Sequence, residues 1–154
     1  MTETHIPSIS DSLPRWARSE ISRSDHTIHA GCFDSVEAYN RITDLANDLT
    51  AVEGPGDPID LDLPDTASVE IEEMKFEVTH AGHTPPPIDH LTDTANRTDS
   101  VLVVGRPEGD RYTIHDGTKI LSPGSPTAAN HKTQSIQKIN IDDGTLKSIK
   151  SIYG

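Results

Sequence analysis

Side chains that bind metal ions or act as nucleophiles occur in short segments spread along the 154-residue chain. Metal-assisted hydrolysis needs carboxylates to neutralise the ions, neutral His side chains to complete the coordination, and open positions for substrate and water. The segments that carry such groups, or that follow the same glycine- and serine-rich pattern, are Ser10-Asp11-Ser12, His29-Ala30-Gly31-Cys32, Gly54-Pro55-Gly56-Asp57, Thr79-His80-Ala81, Gly105-Arg106-Pro107-Glu108 and Ser122-Pro123-Gly124-Ser125-Pro126-Thr127.

A second chemistry is available to the single cysteine. Cys32 becomes a nucleophile if a base such as His29 or His80 lies close to it. Nothing beyond proximity in the inferred fold supports this pair, and His29 is expected to make a structural hydrogen bond. The pattern therefore favours metal-assisted hydrolysis over thiol chemistry.

In order and spacing, the six segments resemble the motifs of the small single-domain branch of the calcineurin-like metallophosphoesterases. Those motifs read S-D-T-H, H-A-G-D, G-N-x-D, T-H-G, G-H-T-H and N-P-G-S, and the match spans about residues 6–127. The resemblance implies that two metal ions are held by the Asp and His of the first motif, the Asp of the second, the Asn of the third, the His of the fourth and both His of the fifth.

Carried over residue by residue, most of those ligands are changed. Asp11 and His80 are kept. The altered positions are Leu13 at the first His, Cys32 at the Asp shared by both metals, Pro55 at the Asn, and Arg106 and Glu108 at the last two His. The resemblance thus implies a vestigial site made of Asp11, Cys32, Asp57, His80, Arg106 and Glu108.

Several of these changes oppose metal binding. Leu13 and Pro55 have no metal-binding side-chain atom, and the guanidinium of Arg106 keeps its charge and repels a cation. Arg106 can either pair with Asp11 and Glu108 or point to solvent. Asp57 is expected to cap its own loop, because Asp readily accepts hydrogen bonds from nearby backbone N–H groups.

Two functions follow from this resemblance. The leading hypothesis is a metallophosphoesterase-fold protein that has lost its dinuclear metal site, needs no cofactor, and acts as a non-catalytic binding or scaffold subunit with a protein partner. The retromer scaffold subunit provides the analogy, which is one of fold only. The alternative is a phosphodiesterase or phosphomonoesterase with a remodelled site, in which Asp11, His80, Cys32 and Asp57 hold one Mn, Ni or Zn ion.

Composition limits the possible partners and location. The chain has 25 acidic and 13 basic residues and a net charge of −12, which disfavours nucleic-acid binding because that binding depends on Lys and Arg. No apolar run approaches the roughly 20 residues of a membrane helix, and the first residues lack the pattern of a signal peptide. We therefore expect a cytoplasmic protein without membrane insertion, with one domain over residues 1–154.

The order of predicted elements indicates an α+β fold. We predict a short strand over residues 5–10, a helix after Ser12, a strand at residues 27–30, a helix capped by Asp34, later hairpins at Asp116-Gly117 and Asp143-Gly144, and a short helix at residues 89–96. The resemblance sharpens this to a four-layer αββα sandwich of two mixed β-sheets flanked by helices.

The acidic, Lys-poor composition suggests adaptation to high salt, since salt screens repulsion between like charges. We therefore predict that the melting temperature rises as KCl increases from low to molar concentration. Thermal unfolding followed by circular dichroism measures this, with sorbitol of equal osmolality as the control. Equal stability in dilute buffer would remove the hypothesis.

Overall fold

The computed structural model of the chain describes residues 1–7, 10, 12–81, 92–93, 95, 99–106, 110–128 and 133–154. Within this part the chain alternates helices and strands before it turns to hairpins. The elements are α1 (Arg15–Arg23), β1 (Thr27–Ala30), α2 (Val36–Leu45), β2 (Leu49–Val52), a 3-10 helix (Ile59–Leu61), β3 (Thr66–Ile71), β4 (Met74–His80), β5 (Val101–Gly105), β6 (Arg111–His115), β7 (Thr118–Ser122), β8 (Ser135–Asp142) and β9 (Thr145–Tyr153).

Helices α1 and α2 form where the sequence predicts them. Helix α1 begins directly after Pro14 and buries Ala17 and Ile21, in keeping with proline's tolerance at a helix start. Helix α2 is capped by Ser35, whose Oγ accepts a hydrogen bond from the backbone N–H of Ala38 at 3.1 Å. The predicted cap, Asp34, is therefore off by one residue, because its side chain is engaged elsewhere.

The strands form three hydrogen-bonded sheets in the described part of the chain. Strands β1 and β2 are parallel, β8 and β9 form an antiparallel hairpin, and the largest sheet is mixed, with the order β3-β4-β5-β7-β6. Both predicted hairpins are present, as β6–β7 and β8–β9. The prediction of two sheets is corrected to three, because β1 and β8 are not paired with each other.

The first residues lie beside β1 rather than forming the predicted strand over residues 5–10. The backbone N–H of Glu3 donates to Gly31 O at 3.0 Å, and that of Thr4 donates to Cys32 O at 2.8 Å. Ile6 and Pro7 form a turn. Residues 1–6 therefore lie beside β1, in the position where the prediction placed a strand of residues 5–10. Ser8 and Ile9 lie outside the described residues.

Three apolar clusters separate the layers. One joins α1 and α2 to the small sheets, with Ile21, Ile42 and Ile136 among its members. A second lies between the small sheets and the five-stranded sheet, and a third covers the opposite face of β5. The fold is α+β, as predicted. A fourth, helical layer depends on the predicted helix at residues 89–96, most of which lies outside the described residues.

No helix in the described part of the chain is long and apolar enough to cross a membrane.

Asp110 connects the C-terminal hairpin to the start of β6. Its carboxylate accepts hydrogen bonds from Ser135 Oγ at 3.0 Å, from Tyr153 Oη at 3.2 Å and from Ser151 Oγ. Partial burial raises the pKa of Asp110, but the three hydroxyl donors outweigh this effect and the net pKa is lowered. The carboxylate therefore stabilises the fold in its ionised form.

We predict that Asp110→Ala lowers the free energy of unfolding by about 1–2 kcal/mol, because hydrogen bonds to a half-buried carboxylate are lost. A depressed folded pKa gives stability that is present above the ordinary Asp value of 3.8 and lost as the pH falls. The difference between variant and parent should therefore shrink below that pH. Urea unfolding at several pH values measures it, with exposed Asp60→Ala as the control; equal effects of both changes would contradict this role.

Candidate metal centre

The candidate site lies where residues 3–5, the loop after β1 and the end of β4 meet. The backbone of residues 3 and 4 is fixed from the other side by the Ser-Pro-Gly-Ser-Pro-Thr segment. Ser125 Oγ donates to Glu3 O at 2.6 Å and Thr127 Oγ1 donates to Thr4 O at 2.8 Å. Thr4 Oγ1 in turn lies 2.6 Å from His29 Nε2. Ser125 and Thr127 thus hold the backbone from which the side chain of Glu3 extends.

Glu3 is the central charged group of the site. Its Oε1 lies 2.8 Å from His80 Nε2 and its Oε2 lies 2.7 Å from His5 Nε2, with the carboxylate only 4% exposed. Burial alone would raise the pKa of Glu3, but the hydrogen bonds to His5 and His80 outweigh burial and hold the pKa well below its usual range. Glu3 is therefore an ionised, buried carboxylate.

His5 is held between two carboxylates. Its Nδ1 lies 2.7 Å from Asp34 Oδ1, while its Nε2 contacts Glu3. The hydrogen bond to Glu3, together with Asp34, raises the pKa of His5 despite its partial burial. Because ionised carboxylates only accept hydrogen bonds, both ring nitrogens donate and His5 is an imidazolium.

Cys32 places its thiol against the same histidine. Its backbone has a φ of 68°, in the left-handed region, and its Sγ lies 3.4 Å from both His80 Nε2 and Pro55 O. Burial, reinforced by the negative charge of Glu3 and Asp57, raises the pKa of the Cys32 thiol far above its usual value. The thiol stays protonated in this setting, so a Cys32–His80 nucleophilic pair is not supported.

Three ligand atoms converge in this site. A carboxylate oxygen of Glu3, Cys32 Sγ and His80 Nε2 all lie within 4.8 Å of one another. They come from three separate segments of the chain, and the tight approach of those segments requires glycine. A Cβ on Gly54 would lie 2.3 Å from Cys32 N, and one on Gly105 would lie 1.9 Å from Ala30 O. The rim is therefore a closely packed frame that carries one oxygen, one sulfur and one nitrogen donor.

Asp57 anchors the site without facing it. Its carboxylate accepts backbone N–H groups from Cys32 at 3.1 Å, Phe33 at 2.5 Å, Asp34 at 3.1 Å and Gly54 at 2.9 Å. This matches the predicted capping role. It also removes Asp57 from the predicted four-ligand set, since these donors occupy both of its oxygens.

His29 has the structural role expected of it. Besides contacting Thr4, its ring stacks on Phe33 with centroids 3.7 Å apart. Complete burial lowers the pKa of His29 well below its ordinary value, so the ring is neutral. His29 supports the backbone at the site and contributes no ligand to the three-atom cluster.

The first motif lies earlier in the sequence than predicted. Leu13, expected at the first His position, packs in the apolar cluster with Ile6 and Phe33. Thr2-Glu3-Thr4-His5 has the spacing of S-D-T-H, with Thr in place of Ser and Glu in place of Asp, and it supplies two groups of the site. Sequence reasoning missed both Glu3 and His5 because it followed the intact Ser-Asp pair at Ser10-Asp11. The Glu-x-His spacing was the available signal.

The remaining predicted residues divide between described and undescribed parts of the chain. Arg106 is half-buried and directly follows Gly105 at the end of β5. Its predicted partners, Asp11 and Glu108, lie outside the described residues. The ion pair proposed for Arg106 therefore stays a prediction.

A rim of loops carrying a carboxylate, a thiol and imidazoles is typical of metal-dependent hydrolases. The family model for the calcineurin-like phosphoesterase superfamily domain matches residues 2–144, and the chain belongs to this superfamily. The membership predicted from the motifs is confirmed. The predicted loss of the metal site is not established by this match.

Individual relatives agree with this assignment. The chain is 29% identical to a probable metallophosphoesterase of Methanocaldococcus jannaschii, over 93% of this chain and 74% of that protein. Its structure is similar to wild-type Vps29 of Entamoeba histolytica complexed with Zn²⁺, with a TM-score of 0.79, 21% identity and coverage of 99% and 95%. It is also similar to an archaeal phosphodiesterase, with a TM-score of 0.73, 20% identity and coverage of 99% and 96%. At these identities the two structural matches establish the fold.

We predict that Asp57→Ala lowers the free energy of unfolding by about 3 kcal/mol, because several backbone N–H groups lose a charged acceptor. Asp57→Asn retains one oxygen and should cost about half as much. Urea unfolding of both variants beside Asp60→Ala, which removes an exposed carboxylate, measures the effect. If Asp57→Ala is as stable as Asp60→Ala, the anchoring role is wrong.

Proposed function

We propose that this protein is a metal-dependent phosphoesterase with a remodelled site, in which Glu3, Cys32 and His80 hold one Zn²⁺ ion. The observation that carries the proposal is the convergence of their ligand atoms within 4.8 Å. Zinc accepts carboxylate, thiolate and imidazole ligands together. A site with three protein ligands leaves a coordination position open for water or substrate, as catalytic zinc sites do.

The donor set fits zinc better than harder ions. A thiolate favours Zn²⁺, whereas Mn²⁺ and Mg²⁺ favour oxygen ligands. Glu3 already has the charge that a ligand needs. Cys32 is protonated beside the carboxylates of Glu3 and Asp57. A bound divalent cation would favour the thiolate form instead, because a coordinating thiol loses its proton.

The changed positions reduce the number of ions from two to one. Pro55 offers no side-chain ligand, and Arg106 places a permanent positive charge where the family has a histidine. One ion bound by Glu3, Cys32 and His80 meets both constraints, while both ring nitrogens of His5 are hydrogen-bonded to carboxylates.

Each group has a separate role in the proposed reaction. A bound Zn²⁺ ion supplies Lewis-acid polarisation of a phosphoryl oxygen and lowers the pKa of water. His5 and Asp34 hold Glu3 in one orientation through their chain of hydrogen bonds. Arg106 directly follows Gly105, whose missing side chain brings β5 against His80, and a guanidinium binds phosphate oxygens in pairs.

Phosphodiesters are the proposed substrate class. A relative of this chain is a probable metallophosphoesterase, one protein of the same fold is an archaeal phosphodiesterase, and another is complexed with Zn²⁺. The non-catalytic scaffold hypothesis stays as the competing prediction. Pro55 and Arg106 favour it, and it differs from the present proposal in metal content and turnover.

We predict that the purified protein binds one Zn²⁺ per chain, and that Cys32→Ala or His80→Ala weakens binding by at least about 100-fold, because each removes a direct ligand. Titration calorimetry and elemental analysis measure this. His115→Ala removes a more exposed imidazole and serves as the control. A chain that binds no zinc, or a Cys32→Ala variant with parental affinity, would return the scaffold hypothesis to first place.

A second prediction concerns metal preference. Cys32→Asp replaces the sulfur donor by a carboxylate and should shift preference from Zn²⁺ towards Mn²⁺ by about 10-fold or more. Turnover of bis(p-nitrophenyl) phosphate should follow the preferred ion in each variant. The ratio of the two affinities gives the readout, with Cys32→Ser as the control for loss of the thiol. An unchanged ratio in Cys32→Asp would show that Cys32 does not contact the ion.

A further inference from the structure

A cavity of about 450 Å³ lies between the two small sheets, away from the candidate metal centre. Its walls include two continuous runs of backbone, residues 23–28 on one side and residues 136–141 on the other. The first run leads from the end of α1 into the first two residues of β1, and the second contains most of β8. In the described part of the chain, β1 and β8 are not paired with each other. The cavity thus has the form of a slot with two six-residue walls, one that ends in the start of β1 and one that lies within β8.

The wall that includes the start of β1 presents hydrogen-bonding groups to the slot. Thr27 N–H donates to Asp48 O on the β2 side at 2.8 Å, so the backbone groups of its neighbour Ile28 face the opposite side. Ile28 O accepts from the amine of Met1 at 2.8 Å, and Ala30 N–H donates to Met1 O at 2.9 Å. This is the pattern of a parallel strand pair, and it ends at Ile28, whereas the wall continues through residues 23–27.

The other wall also has an open edge. In the described part of the chain, β8 is hydrogen-bonded along one side only, to β9. The side-chain oxygen of Gln137 in this wall is buried and accepts no hydrogen bond from a described residue. An open edge on a strand within the fold is unfavourable, because buried backbone groups need partners.

The faces of the slot determine which side chains could fill it. One face is formed by Phe76, Val103 and Leu121 of the five-stranded sheet, and Ile21 of α1 lies on the helix side. A strand buried on both faces has a nearly continuous apolar sequence. Met1 closes one end of the slot.

We propose that this slot is the seat of one further β-strand of the same polypeptide, about six residues long and apolar on both faces, which runs parallel to β1 and leads directly into residue 1. The strand joins β1–β2 and β8–β9 into one sheet. It also extends the pairing that holds Glu3 and His5 beside His80, so it fixes the segment on which the metal site depends. Occupation of the slot by this strand does not depend on zinc binding at the candidate metal centre.

The direct test is the intact mass of the protein isolated from its native cells. We expect a mass greater than the 16.7 kDa of residues 1–154 by that of at least six residues, and peptides that read through Met1 into an apolar run. A native polypeptide that begins at Met1 would overturn the proposal.

A second test uses extended chains. Six alternating Val and Ile residues fused ahead of Met1 should raise the melting temperature by about 10 °C and slow hydrogen exchange of the Ile28 amide by at least about 100-fold. Six Gly and Ser residues, and an apolar extension interrupted by Pro, serve as controls because they cannot fill the slot as a paired strand. Equal stabilisation by all three extensions would overturn the proposal.

Two further arms test other occupants. The Val-Ile peptide added free in solution should stabilise the unextended chain much less than the fused strand does, because a fused segment has a high effective concentration. Sedimentation of the unextended chain should show a monomer. Full stabilisation by the free peptide would assign the slot to a partner's strand. A dimer that dissociates when the strand is fused would assign it to a second copy, and either result would overturn the proposal.

Discussion

The backbone pairing of residues 1–6 with the region from β1 to Phe33 determines the position of the groups in the candidate site. It brings Glu3 beside His80 and lets His5 reach Asp34 across the loop after β1. The pairing depends in turn on the shape of that loop, which Asp57 fixes by accepting several of its N–H groups. One backbone ladder and the half-buried carboxylate of Asp57 thus organise residues that are distant in the sequence.

Electrostatic balance explains why so polar a site is compatible with burial. An ionised carboxylate away from water is unfavourable unless it is paired and hydrogen-bonded. Glu3 has an imidazole on each oxygen, and His5 has a carboxylate on each nitrogen, so the positive ring of His5 lies between the carboxylates of Asp34 and Glu3. Where the family has an Asp, this chain has Cys32, and its protonated thiol adds no negative charge to this arrangement.

The sequence predicts local elements well and long-range placement less well. Helices α1 and α2, strand β1 and both hairpins follow from caps, periodicity and turn residues, and the motif order indicates the superfamily. The first motif was predicted too late in the chain, because Ser10-Asp11 matches the family letters better than Thr2-Glu3. Only the three-dimensional contact between Glu3 and His80 separates these choices, since residue spacing does not report which loop reaches a distant strand. The gap between β1 and β8 is likewise a property of sheet assembly that periodicity does not encode.

The absence of side chains at Gly54 and Gly105 has a consequence for how this site can change during evolution. Where backbone packs directly on backbone, with room for no Cβ atom, the positions of the neighbouring residues are set by main-chain geometry and not by the side chains that they carry. Ligand identity can then drift from carboxylate to thiol, as at Cys32, while the scaffold keeps its shape. A substitution at either glycine would instead have to appear together with compensating changes in the facing loop. Covariation among homologues should therefore concentrate at the glycines, and diversity of metal preference at the residues beside them.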